Sequence, residues 1–282
     1  MIEGTFNGLY RYDDRGERFY ARVANGKVIW YPSVTRIIKA TSPTPQGLLA
    51  WYAKHGIEDA AKLRDEAAER GTQMHTLIEE YLQTGVVILD GLPEFHQKAL
   101  CSFVRFCQDH DVRPIHTERV IYSDVYVYAG ACDLICTMQW KGAVIRALID
   151  YKSGSNIYDD YAVQLGMYWH AAEGQGYAID RVFNWSPKDF RKDVPTYTLT
   201  DQTEKAARSK DEGELEYRCR LFHATNDPTP RPRMVITGML PNDVNIRTTD
   251  PNRVILDRHA ATTPQPYEST QTSEAGPSSE PA

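Results

Sequence analysis

The 282-residue chain has no apolar run near the roughly 18 to 20 residues of a membrane-spanning helix, and its N-terminus lacks the apolar core of a secretory signal. Those absences predict a cytoplasmic protein with no membrane partner. Cysteine is scarce: Cys101, Cys107, Cys132, Cys136 and Cys219 are too few and too unevenly placed for a secreted disulfide scaffold, and no two make a C-x-x-C pair. There is no Cys/His set with zinc spacing, no internal repeat, and no Gly-x-x-x-x-Gly-Lys loop, so no ATPase motor is expected in this chain. The formal net charge of −6 argues against a protein that coats nucleic acid electrostatically, but a local basic groove remains compatible with it. What is present, 41% hydrophobic and 25% charged residues, is the balance of an ordinary globular fold.

Along the chain, aromatic and β-branched residues between Gly4 and Trp30 alternate with turn signals at Asp13-Asp14-Arg15-Gly16 and Asn25-Gly26. They predict a β-hairpin extension over 1–31. Ser33 is placed to cap a helix running to Lys39, and helical stretches follow at Gln46 to His55 and Ile57 to Glu69. Gly71 suggests a break or a close backbone approach before a further helix carrying His75, with Glu79 one turn later on the same face. A helix over Gly91 to His110, a strand over Ile115 to Val127 and a helix over Asp159 to Ala172 come next. Strands at Val182 to Ser186 and Thr196 to Leu199 and a charged helix over Gln202 to Thr225 complete a main domain over 32–225. From 226 to 282 the composition turns to Pro, Thr, Ser and Asn and predicts a disordered tail.

The chemistry concentrates between Gly130 and Tyr168. Gly130-Ala131-Cys132-Asp133-Leu134-Ile135 reads as one strand and Val144 to Tyr151 as the next, ended by Ser153-Gly154. Asp150 and Lys152 lie two apart, so strand alternation sets both on one face and turns Tyr151 to the other, leaving its carbonyl as a candidate ligand. Antiparallel pairing of the two strands brings Asp133 towards Asp150. Carboxylates on adjacent strands suit Mg2+ or Mn2+, one or two ions, and a lysine beside them adds a point charge for an activated water or a transition state. An isolated D-x-K is an ordinary surface triplet; the flanking apolar strand and the upstream G-x-x-D are what favour a metal-dependent nuclease.

The ordered set Arg70-Gly71-Thr72-Gln73-Met74-His75, Gly130-x-x-Asp133, Ile149-Asp150-Tyr151-Lys152-Ser153-Gly154 and Gln164-x-x-x-Tyr168 resembles the RecB-like branch of the PD-(D/E)XK nuclease superfamily. Phage-type exonucleases and the mitochondrial genome maintenance exonuclease are neighbours in that branch, and the resemblance spans roughly 32–187. It implies an α/β, restriction-endonuclease-like core with a mixed central sheet flanked by helices. It implies metal ligation by His75, Asp133, Asp150 and the Tyr151 carbonyl, with Lys152 as the catalytic lysine. Gln164 and Tyr168 would face DNA, Tyr168 as a base-stacking ring. Glu118 stands where phage-type relatives often carry an acid, with a surface strand residue as the equal alternative, and Glu79 is a candidate partner of His75. Two departures are visible: Cys132 replaces the proline that names the superfamily, and the stretch from Asp133 to Asp150 is a few residues long. Some relatives hold an iron–sulfur cluster through one cysteine before the core and three after it; only Cys219 follows the core here, so no cluster is expected.

The expectation is a Mg2+-dependent DNA exonuclease of recombination, repair or replication, in phage or cell, with a tail that could dock a single-strand annealing or replication protein. A structure-selective endonuclease and a DNA-binding recombination module without turnover are the alternatives. A non-haem iron oxygenase would need a second histidine near Asp133, which the motifs lack.

Overall fold

In the computed structural model, residues 2–226 are described except 7, 15–16, 25–26, 45, 155, 189–194 and 212, and 246–250 and 253–256 are described beyond them. The chain opens with four strands, β1 (Ile2–Phe6), β2 (Leu9–Asp14), β3 (Glu17–Ala24) and β4 (Lys27–Pro32), joined in sequence order as an antiparallel meander. The short connections between strands account for that order, because hairpins can only join antiparallel neighbours. Ser33 then caps α1 (Val34–Thr41), its Oγ accepting the Arg36 backbone N–H at 3.2 Å.

Helix α2 (Gln46–His55) leads into α3 (Ile57–Thr84), which runs without interruption through Gly71. The expected break there is therefore absent. A Cβ at Gly71 would meet only ordinary contact, with Ser153 Oγ at 3.5 Å, and the strong helix formers on both sides outweigh a single glycine, which costs about 1 kcal/mol in a helix. Helix α3 ends at Gly85 in the left-handed conformation, and Pro93 precedes α4 (Glu94–Asp109), three residues later than the sequence suggests.

The main sheet has five strands in sequence order: β5 (Arg113–Ser123), β6 (Tyr128–Trp140), β7 (Ala143–Tyr151), β8 (Arg181–Lys188) and β9 (Thr196–Asp201). Strands β6 and β7 form a hairpin closed by Lys141 and Gly142, both at positive φ, the backbone of a two-residue turn. Strands β7 and β8 are parallel, so the chain must cross over between them, and α5 (Asp159–Gly174) is that crossover. The sheet is thus mixed and the fold α/β. After β9, the single helix expected over 202–225 is two, α6 (Thr203–Asp211) and α7 (Glu214–Thr225), separated at Gly213. In the C-terminal segment, β10 (Ile246–Asp250) and β11 (Arg253–Leu256) pair with each other, and β11 lies beside β4. The expectation of disorder over the rest of 226–282 falls outside the described residues.

Two apolar layers sandwich the main sheet. On one side Leu148 and Val182 pack with Leu165, Met167 and Phe222; on the other Ile149 and Phe183 pack with Met74, Ile78, Phe103 and Phe106. Strand alternation explains the division, since Leu148 and Ile149 are neighbours on β7 and face opposite ways. Among the described residues no helix is long and apolar enough to cross a membrane.

Candidate metal centre

The registers of three strands set a row of polar side chains across the sheet. Thr117 pairs with Leu134 and Arg119 with Cys132, which puts Glu118 across from Asp133. One step beyond the Leu134–Ile149 pair, Asp133 reaches the end of β7 at Asp150, and Asp150 pairs with Asn184 on β8. The extra residues between Asp133 and Asp150 lengthen the far end of the hairpin and leave this register intact. Glu118 holds φ +46, a left-handed backbone that a glutamate rarely adopts, and such conformations concentrate where a fold constrains a functional side chain.

Helix α3 carries His75 to the head of this row. Its Nδ1 lies 3.5 Å from Asp133 Oδ1 and 3.6 Å from Glu118 Oε1, and the three potential ligand atoms are all within 4.8 Å of one another. Burial alone would lower the imidazole pKa, but the Asp133 and Glu118 carboxylates overcome it and raise it to about 11. Two carboxylates and an imidazole, gathered so closely, suit a hard divalent cation. Asp133 Oδ2 also accepts the Tyr151 backbone N–H at 2.5 Å, which fixes the carboxylate against β7.

Beside this triad, Asp150 is held on every side. Lys152 Nζ lies 2.7 Å from Oδ2, Asn184 Nδ2 donates to the same oxygen at 2.8 Å, and Gln164 Nε2 donates to Oδ1 at 3.0 Å. Gln164 Oε1 in turn accepts from Lys152 Nζ at 3.0 Å, so one amide on α5 orients both the acid and the lysine. Burial pushes the Asp150 pKa up and Lys152 opposes the shift, while Asp133 adds to it. For Lys152 burial works downward, but Asp150 more than offsets it, and the ammonium is retained. Its Nζ also sits 4.3 Å over the Tyr161 ring.

The nine residues singled out from the sequence, His75, Glu79, Glu118, Asp133, Asp150, Tyr151, Lys152, Gln164 and Tyr168, all line one cleft of about 880 Å3. Three of them differ in detail from their expected parts. Tyr168 is not a stacking platform: its ring is buried, and a Cβ on Gly130 would fall 2.7 Å from Tyr168 Cε1, so only glycine lets the ring lie there. Gln164 is likewise buried and bonded to Asp150, Lys152 and the Tyr168 hydroxyl rather than displayed to solvent. Glu79 accepts from Gln83 Nε2 at 3.0 Å and does not support His75, whose Nδ1 faces Glu118 and Asp133 instead. The Tyr151 side chain turns into the opposite layer, edge-on to Phe103 and Trp185, as strand alternation requires.

Sequence reasoning missed Asn184 and Gln202, which donates to Asn184 Oδ1 at 3.2 Å. The signal was available: an asparagine inside the apolar run Val182-Phe183-Asn184-Trp185 has to find a buried partner. It also missed Arg11, Arg18 and Tyr20 of the N-terminal sheet, which line the same cleft and have no motif to mark them. The five cysteines are free, and burial raises the thiol pKa of Cys107 and Cys219 to about 12 and that of Cys132 and Cys136 further. No protein-family model matches the chain, and no curated protein matches it in sequence.

Proposed function

We propose that the protein is a metal-dependent deoxyribonuclease of the RecB-like PD-(D/E)XK type that hydrolyses DNA phosphodiester bonds from a strand end. The observation that carries this reading is the convergence, in one cleft, of the His75–Glu118–Asp133 triad with the Asp150–Lys152–Gln164 set. Chain segments as far apart as His75 on α3 and Gln164 on α5 meet there, which an accidental surface D-x-K would not require. His75, Glu118, Asp133 and Asp150 are the residues to hold one or two Mg2+ or Mn2+ ions, which when bound activate water and neutralise charge on a phosphate.

The protein's own groups divide the remaining work. Lys152 keeps its proton and is therefore a fixed cation, suited to stabilise negative charge on the phosphate oxygens rather than to act as a base. Gln164 and Asn184 hold Asp150 in one orientation, so no rearrangement is needed as charge develops. Tyr168, kept neutral by burial, receives the Gln164 amide and fixes its rotamer. The cleft is lined by α3, the main sheet and the N-terminal sheet, and a site lined by three elements favours threading of an end over side-on capture.

The test is a comparison of a closed circular single strand with the same strand linearised, with Mg2+ and with chelator. Degradation of the linear strand alone, and only with Mg2+, is expected; equal degradation of both would replace the exonuclease by an endonuclease. Lys152→Ala and Asp150→Asn should each lower the cleavage rate about 100- to 1,000-fold while the protein stays folded. Wild-type rates in both variants would overturn the assignment.

A further inference from the structure

The N-terminal sheet is more than an appendage, because it is locked to the main sheet next to the site. Leu9, Tyr20 and Tyr31 are buried against Val120 and Ala129. Arg22 Nη2 is 2.9 Å from both Asp124 carboxylate oxygens, and its Nη1 donates to the Tyr122 hydroxyl at 3.0 Å. Tyr31 donates to Asp124 as well, and Arg36 joins Glu17 at 3.0 Å while stacking over Phe19 at 4.3 Å. The Arg22 contacts to Asp124 and Tyr122 and a shared apolar cluster make this a fixed wall rather than a swinging flap.

That wall presents cations to a cleft whose floor is acidic. The floor carries Glu118, Asp133 and Asp150, and the α3 side facing it offers mainly small or hydroxyl residues, among them Ala68, Gly71, Thr72 and Thr76. A polyanion entering such a cleft is repelled by these acids, and the cations beside them, His75 and Lys152, are themselves paired with Glu118, Asp133 and Asp150. The opposite wall supplies Arg11 from β2 and Arg18 from β3. Asp13 holds the two side by side, with Arg11 Nε at 2.9 Å and Arg18 Nε at 3.3 Å. Beneath them Tyr20 is fully buried, its hydroxyl adjoins the Arg18 guanidinium and has no hydrogen-bond partner meeting ordinary geometry. Two guanidiniums beside one carboxylate leave net positive charge on this part of the cleft lining, in a chain of net charge −6.

We propose that Arg11 and Arg18 form a backbone-phosphate clamp that holds the nucleic-acid strand on the wall opposite α3 while a neighbouring phosphodiester lies at Asp133 and Asp150. The proposal rests on the nuclease reading and adds the elements that give it affinity for a strand. Arg11 and Arg18 are positioning residues, and their removal should act on binding and not on the chemical step.

The experiment measures binding of a fluorescent single-stranded oligonucleotide to the full chain carrying Asp150→Asn, as a function of salt. Adding Arg11→Gln and Arg18→Gln should lower the slope of log K against log salt by about 1.4, roughly 0.7 for each lost contact on a single strand. If that contribution vanishes at 1 M, affinity at 0.1 M salt falls about 25-fold. Arg11→Lys with Arg18→Lys should keep the slope, since charge rather than the fork sets counterion release. In the Asp150-containing protein, the two glutamine substitutions should raise KM and spare kcat. An unchanged slope and KM in a folded double-glutamine variant, with the parent binding DNA normally, would overturn the clamp alone. An Asp150-containing protein that neither binds nor cleaves DNA would overturn the nuclease reading beneath it.

Discussion

Asp150 is surrounded by three donors, and the balance among them decides what each substitution does. Gln164→Leu removes the amide shared by Asp150 and Lys152 and leaves a buried carboxylate oxygen without its donor, which costs roughly 1 to 3 kcal/mol. Stability should fall by that order in a denaturant melt, and kcat should fall while KM stays near its parent value, because the group orients catalytic atoms without touching substrate. His75 sets a pH dependence of definite sign. In the metal-free protein its pKa is raised from 6.5 to about 11, so the stability it contributes is whole below pH 6.5 and is lost as pH rises towards 11. A chelated sample should therefore lose stability across that window, and His75→Gln should flatten the loss. A metal needs the neutral imidazole and competes with that proton, so the rise in Tm on adding Mn2+ should grow with pH. A shift that shrinks with pH would count against His75 as a ligand. Asp150 and Lys152 are legible from their short spacing on one strand, and His75 only through the family resemblance. Asn184 is hidden by its apolar neighbours, and Arg11 and Arg18 by the long stretch of chain that separates them from the acids of the cleft.

Elements were legible where one local rule ruled alone and obscure where two competed. The β6–β7 hairpin follows from alternating apolar strands and a turn, and the resulting register sets the acids across from one another. The sequence suggests a break in helix α3 at Gly71 because glycine is a poor helix former, yet the helix termini are set at Gly56 and Gly85, both at positive φ, and Gly71 lies within the helix. The split between α6 and α7 was missed in a stretch whose charge pattern hides the apolar period that Ala206, Leu215, Cys219 and Phe222 provide once folded. Ser33 shows an element-level choice being resolved. A serine hydroxyl at that place can cap the helix or contact a phosphate, and the bond from the Arg36 N–H at 3.2 Å, in a buried residue, assigns it to the cap. Ser33→Ala should thus destabilise the protein by about 0.5 to 2 kcal/mol and leave DNA affinity unchanged. A variant of unaltered stability that binds DNA more weakly would return the hydroxyl to the substrate.

At the scale of the whole molecule, net charge and local charge point in different directions. The chain is acidic overall, yet its cleft pairs acids for metal with arginines on a separate sheet, so affinity depends on where charge is placed. Composition could reveal the sum and could not reveal the placement, because two sheets distant in sequence have to meet before the cleft exists. The same reasoning bears on the C-terminal segment. Among the described residues, those lining the cleft fall between Arg11 and Tyr168, and the buried clusters of both layers end with Phe222. The residues beyond 230 are rich in Pro, Thr and Ser, a composition poor in the apolar side chains that build a core. Truncation after Pro230 should therefore leave metal-dependent cleavage of naked DNA within about twofold of the full chain and shift Tm by only a few degrees, as expected for changes of less than about 1 kcal/mol. The measurement is a melting curve and a rate on the same linear single strand used for the full chain. If the truncated protein is insoluble, or melts far lower, then β10 and β11 beside β4 help hold the N-terminal sheet in place. In that case the arginine wall should be disturbed too, and the salt dependence of DNA binding would weaken along with the fold.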